Sequence, residues 1–199
     1  MAAKWAFCGG YAIDLFLERE TRKHGDIDIC VFERDRNVIK DYMLARGWNV
    51  YEFRGMGRLR KLCAEDTSDA GRNLMCVQDG CRLVDFYPSD EPGMLLHMFH
   101  HTGMEKFDYI EFLFNDSDGD EFVFNKPLGI CRSMDKAILN NGEYFYLAPE
   151  IALLYKAANT DDETCRRDYE LASVELNDDQ RFWLRNGLEM CYPQGHPWL

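Results

Sequence analysis

Residues Cys8 to Phe32 read CGGYAIDLFLERETRKHGDIDICVF, and this stretch decides how the rest of the chain is read. It holds a Gly9-Gly10 turn, an amphipathic segment, a basic loop and an Asp26-Ile27-Asp28 triplet inside an apolar run. In a strand, residues two apart share a face, so both carboxylates project together while Ile27 and Ile29 turn into a core. Neighbouring carboxylates repel unless a cation lies between them or one takes up a proton. Such hard oxygen donors suit Mg²⁺, which takes one or two protein carboxylates and completes its shell with water and substrate phosphate. Upstream, Trp5 to Cys8 reads as a strand. Gly10 to Glu18 reads as a short helix with Ile13, Leu15, Phe16 and Leu17 apolar. A strand, a glycine turn and a helix N-terminus leave backbone N–H groups and room for a phosphate.

Gly9-Gly10 followed by Asp26-Ile27-Asp28 resembles the signature of the DNA polymerase beta-like nucleotidyltransferase superfamily. The full stretch is most similar to the aminoglycoside and lincosamide nucleotidyltransferase (adenylyltransferase) proteins. The pieces LAPEIALLYKA (147–157) and GHPWL (195–199) also look like members of that group. The resemblance implies an α+β fold, a mixed β-sheet with flanking helices followed by a C-terminal helical portion. It also implies a third carboxylate on a strand neighbouring the first two. Arg82 to Tyr87 fits that place, with Asp85 as third ligand and as acceptor of the hydroxyl proton. On this reading Asp26, Asp28 and Asp85 hold two Mg²⁺ ions. The co-substrate is ATP or another nucleoside triphosphate, and Gly9 and Gly10 approach its phosphates. Arg22, Lys23 and Lys156 are the candidates to neutralise the leaving pyrophosphate. Glu143, Glu150 and Asp168 are candidates to contact an amine-bearing acceptor. Asp14, inside the first helix, is expected to be structural.

The 199 residues carry a formal charge of −12, with 46% hydrophobic and 29% charged residues. These are the proportions of an ordinary globular chain. The acidity argues against a nucleic-acid partner and suits a cationic small molecule, although basic residues cluster at Arg19, Arg22, Lys23 and His24. No apolar run approaches the roughly 18 residues of a membrane span. The N-terminal apolar stretch is too short for a signal peptide. The eight cysteines show no metal spacing and read as reduced thiols, so a cytoplasmic location is expected. Two alternatives share the motif: nucleotidylation of a protein or RNA, and a non-catalytic interaction domain.

Beyond the motif, Arg34 to Gly47 reads as a helix stopped by Gly47, and Trp48 to Phe53 as a strand. Leu74 to Gln78 and Cys81 to Tyr87 flank Asp79-Gly80, a two-residue hairpin signal that would deliver Asp85 on the second strand. Met94 to His101 would place His97 and His101 on one helix face. Asp116 to Asp120 fails the calcium-loop pattern, with Glu121 at the sixth position and Pro127 at the twelfth, and reads better as a hairpin. The acidic run from Glu105 to Glu121, which includes Glu111, reads as a solvated edge hairpin. Pro149 suits a first helical turn, and Asn177 to Gln180 a helix cap. A soft boundary falls near residue 145, giving a nucleotidyltransferase domain over 1–144 and a helical portion over 145–199.

Overall fold

The computed structural model describes residues 3–100, 106–124 and 128–199. In chain order the elements begin with β1 (Ala6–Phe7), α1 (Gly9–Phe16), β2 (Asp28–Phe32), α2 (Arg36–Leu44), β3 (Asn49–Gly55) and β4 (Arg58–Leu62). Next come β5 (Leu74–Val77), β6 (Val84–Pro88), β7 (Met94–Phe99), β8 (Tyr109–Asp118), β9 (Glu121–Val123) and β10 (Cys131–Ser133). The chain ends with α3 (Met134–Ala137), β11 (Ile138–Asn140), β12 (Phe145–Leu147), α4 (Pro149–Lys156), α5 (Glu163–Ala172) and α6 (Asp178–Cys191). None of the described helices is long and apolar enough to cross a membrane.

The chain forms two compact units, Met1–Trp5 with Lys23–Asn115, and Ala6–Arg22 with Asp116–Leu199. This division differs from the boundary expected near residue 145. The C-terminal helices do not stand apart, because β12 pairs in parallel with β1 and α4 packs on α1. The chain's first helix therefore belongs with its last ones.

The first unit is a mixed sheet in the order β2-β8-β5-β3-β4-β7-β6. β2 and β8 run parallel, and the remaining neighbours in this order are antiparallel. β2 is apolar after Asp28 because both of its faces are covered: Cys30, Val31 and Phe32 are all buried. α2 lies on β3 and stops where expected, with Gly47 at φ 77° and its N–H donating to Leu44 O. One face of the sheet buries Tyr51, Leu59, Met75, Val77, Leu83, Val84 and Tyr109 together. Fully buried Glu52 is held by Arg54 at 2.6 Å, Arg60 at 3.0 Å and the Ser68 hydroxyl at 2.9 Å, tying the connection after β4 to the sheet.

Two expectations fail here. Asp79-Gly80 does form a turn, with the Cys81 N–H donating to Gln78 O. It does not close a hairpin. Both edges of β5 are already taken by β3 and β8, so the chain crosses over and β6 pairs with β7 instead. Met94 to Phe99 is a strand rather than a helix, since β4 and β6 flank it on both sides. His97 accordingly points its Nδ1 at Gly57 O, 2.8 Å away. His101 lies outside the described residues. The hairpin at Asp118 forms as expected, with Asp118 facing Glu121 across a Gly119-Asp120 loop.

In the second unit β12 pairs antiparallel with β11 and parallel with β1, and the end of β8 continues into β9 and β10. α4 is its buried centre, packed against α1, α5 and α6. Gly187 in α6 permits the approach: a Cβ there would meet Leu154 at 2.7 Å. α6 starts with a capping box in which Asn177 Oδ1 accepts from the Gln180 N–H and the Gln180 side chain accepts from the Asn177 N–H. Asn177→Ala removes one arm of that box and should lower stability by about 1 kcal/mol, read as a lowered urea midpoint at unchanged slope.

Candidate active site

Asp26 stands in a bend just ahead of β2, and Asp28 is the first residue of the strand. The ladder nevertheless reaches back to Ile27, whose carbonyl accepts from the Glu111 N–H at 2.9 Å. Parallel pairing sets Asp28 directly beside Glu111. Side-chain alternation then puts Asp28 and Glu111 on one face of the sheet, while Ile27, Ile29, Ile110 and Phe112 are buried on the other. Asp26 is exposed, and Asp28 and Glu111 are both half-buried.

Burial pushes the Glu111 carboxyl from 4.5 up to about 7; the Tyr109 hydroxyl, which donates to it, pulls the other way, and the Asp26 charge adds to the rise. The Tyr109 hydroxyl is itself driven well above its usual range by burial and by the charges of Glu111, Asp26 and Asp28. These groups therefore feel one another. Gly25, Asp26, Tyr109 and Glu111 line a cavity of about 180 Å³ closed by Leu83, Phe99 and His100.

The strand of Asp85, β6, lies at the far end of the sheet order from β2, and the strand beside β2 is β8, yet Leu83 and Val84 at the start of β6 pack with Tyr109 of β8 in one core. Asp85 is exposed and accepts from His100 Nε2 at 2.7 Å, and His100 lines the cavity together with Asp26 and Glu111. Glu111, which the sequence did not single out, is the carboxylate that the strand register sets beside Asp28. Its signal was a single carboxylate at the centre of the apolar run Tyr109-Ile-Glu-Phe-Leu-Phe114, which is a buried strand and not an exposed edge.

No group of three or more His, Cys, Asp or Glu residues among the described ones is gathered as a ready-made metal centre. Mg²⁺ does not need one, because substrate phosphate and water fill most of its shell. Oxygen-only donors on adjacent strands, with a buried carboxyl driven upward partly by its neighbour's charge, fit such an ion.

The second unit holds the glycine turn and two of the expected cations. Gly9 has φ 60°, a left-handed conformation suited to glycine, and it opens α1 without any side-chain cap. Asp14 is structural, as expected: its Oδ1 accepts from the Thr21 N–H at 3.0 Å and from the Thr21 hydroxyl at 2.6 Å. Arg167 donates to Thr21 O from the other side. This grip on the basic loop brings Arg22 against Asp168 at 3.5 Å, and Lys156 reaches the same carboxylate at 2.9 Å. Asp168 is fully buried behind its two cations, so it cannot meet an acceptor as expected. Glu150 is also fully buried, against Arg132 at 2.6 Å. Of the three expected acceptor contacts only Glu143 is exposed, in the loop before β12. Lys23 is exposed and His24 buried in the first unit.

The arrangement can be set beside known proteins. Residues 1–56 match the family described as aminoglycoside-2''-adenylyltransferase. The solution structure of the antibiotic-resistance factor ANT(2'')-Ia aligns with a TM-score of 0.56 at 15% identity, over 96% of this chain and 85% of that one. The crystal structure of ANT(2'')-Ia with adenylyl-2''-tobramycin aligns at 0.55 and 15%, over 96% and 89%. The fold is that of the antibiotic adenylyltransferases. The lincomycin-bound lincosamide antibiotic adenylyltransferase LnuA aligns at 0.50 and 13%, over 85% of each chain. No curated protein sequence matches.

The raised Glu111 carboxyl has a consequence for stability. Between pH 4.5 and about 7 the folded chain keeps a proton that the unfolded chain has lost, so stability falls as pH rises through that window. Glu111→Gln removes this dependence. At pH 8 the variant should melt above the parent, and the gap should close below pH 4.5. Mg²⁺ at pH 8 should raise the parent's melting temperature more than the variant's. Parallel melting curves across pH would remove the assignment.

Proposed function

We propose that the chain is a Mg²⁺-dependent nucleotidyltransferase. It moves a nucleoside monophosphate, most simply AMP, from a nucleoside triphosphate to a hydroxyl of a cationic antibiotic of the aminoglycoside or lincosamide kind. The observation that carries this reading is the register of Asp28 beside Glu111 on parallel strands, with Asp26 two residues before. The match over residues 1–56 and the shared fold support it.

In this reaction positioning and charge stabilisation do most of the work. Asp26, Asp28 and Glu111 would hold the divalent cation or cations, which when bound lower the charge on the triphosphate. Gly9 and Gly10 present backbone N–H groups at the start of α1 to the phosphates. Asp168 carries one negative charge and holds Arg22 and Lys156, so the trio retains one positive charge for the leaving pyrophosphate. Glu111, poised near neutrality by burial, is the group to accept the hydroxyl proton as the acceptor oxygen bonds to the α-phosphorus. The acidic surface, including exposed Glu143, suits an acceptor that carries amines.

The test is incubation with labelled ATP, Mg²⁺ and a panel of aminoglycosides and lincosamides. Label should move to a drug, and label on a macromolecule or nowhere would replace this reading. Asp28→Asn and Glu111→Gln should each lower turnover by at least about a hundredfold with the fold intact by circular dichroism. Asp85→Asn should stay within about tenfold of the parent. Full loss in Asp85→Asn with retained turnover in Glu111→Gln would reverse the choice of third carboxylate.

A further inference from the structure

The last residues, Gly195 to Leu199, fold back on the second unit. Trp198 stacks on Tyr169 of α5 with ring centroids 4.2 Å apart and planes 6° from parallel. The Tyr169 hydroxyl donates to Trp198 O at 3.1 Å. The Trp198 N–H donates to His196 Nδ1 at 3.2 Å. With Nδ1 accepting, the proton of the neutral imidazole sits on Nε2, and Nε2 donates to Ala157 O at 3.0 Å. Tyr192, just past α6, packs on the His196 ring at 4.5 Å.

The two places gripped are informative. Ala157 directly follows Lys156, and Tyr169 directly follows Asp168. The tail thus touches the chain one residue beyond each partner of the 2.9 Å Lys156–Asp168 contact. Successive helical residues differ by about 100° in direction, so fixing Tyr169 also fixes where Asp168 points. Holding Ala157 fixes the end of α4, where Lys156 emerges. Rotation or sliding of α5 against α4 would break the Lys156–Asp168 pair and leave a buried carboxylate poorly compensated.

We propose that the segment His196-Pro197-Trp198 is a clasp that positions Lys156 and Asp168, and through Asp168 also Arg22, for the triphosphate. This rests on the nucleotidyltransferase reading above. His196 and Trp198 are positioning residues: they act on the nucleotide only through the cations they hold in place. The clasp makes nucleotide binding depend on residues 196–198, and acceptor binding should not share that dependence.

The experiment is a double-mutant cycle on the full chain, read by calorimetric titration with ATP and by steady-state kinetics, with melting curves beside them. Trp198→Ala should weaken ATP binding about tenfold and raise the KM for ATP, with the KM for the acceptor unchanged. Trp198→Phe, which keeps a ring to stack on Tyr169, should return to within about twofold of the parent. Lys156→Ala with Trp198→Ala should bind ATP no more weakly than Lys156→Ala alone, because the second change acts through the first. Additive losses, or unchanged ATP binding in Trp198→Ala, would overturn the clasp. Should Trp198→Ala not fold, His196→Ala, which leaves the stacked rings in place, must show the same pattern or the proposal fails. A parent chain that binds none of ATP, GTP, CTP and UTP removes the nucleotidyltransferase reading itself. A parent that binds, with Lys156→Ala weakened and Trp198→Ala normal, removes the clasp alone.

Discussion

The structure turns on two acidic side chains set side by side by the parallel pairing of β2 with β8. Strand register leaves Asp28 and Glu111 little freedom to separate, because Glu111 sits in ladders on both sides and Asp28 is its partner in one of them. Holding the Glu111 carboxyl near 7 instead of 4.5 costs about 3 kcal/mol of folded-state stability above neutral pH. The opposite face of the same strands offsets it. Ile27, Ile29, Ile110 and Phe112 are all buried there, and each contributes about 1.5–3 kcal/mol. The apolar residues between the acids are thus what allows the acids to stay where they are. A strand that alternated acids with polar residues would not hold this register.

Long-range pairing was the part of the fold hidden in the sequence. Local signals were legible because their causes are local. Gly47 ends α2, Pro149 opens α4, and Asn177 with Gln180 caps α6, each through contacts within a few residues. The Asp79-Gly80 turn was legible in the same way and misled for the same reason. A turn fixes a reversal of direction but not which strand lies alongside, and β5 had two better partners from distant parts of the chain. The pair Asp26 and Asp28 could be read from spacing alone. Glu111 lies more than eighty positions further along, and only the β2–β8 register brings it beside Asp28.

The second unit shows the same logic with charges of opposite sign. Arg22 and Lys156 lie far apart in sequence and converge on one fully buried carboxylate. Two lysine-like charges in open solution would be hydrated and mobile. Around Asp168 they are fixed, and the group keeps a single net positive charge at a defined place. Asp168 therefore belongs to the cations, a role its sequence neighbourhood, Arg166-Arg167-Asp168, did not distinguish from acceptor binding. The basic loop is held at this point through uncharged Thr21, clamped between the Asp14 carboxylate and the Arg167 guanidinium.

The burial of Glu111 makes one further connection between stability and chemistry. Without a cation beside it, the carboxyl relieves the crowding by holding a proton near neutral pH. A divalent ion placed against the same carboxylates would favour the ionised form and release that proton. The ionised carboxylate would then be available to the ion as an oxygen ligand.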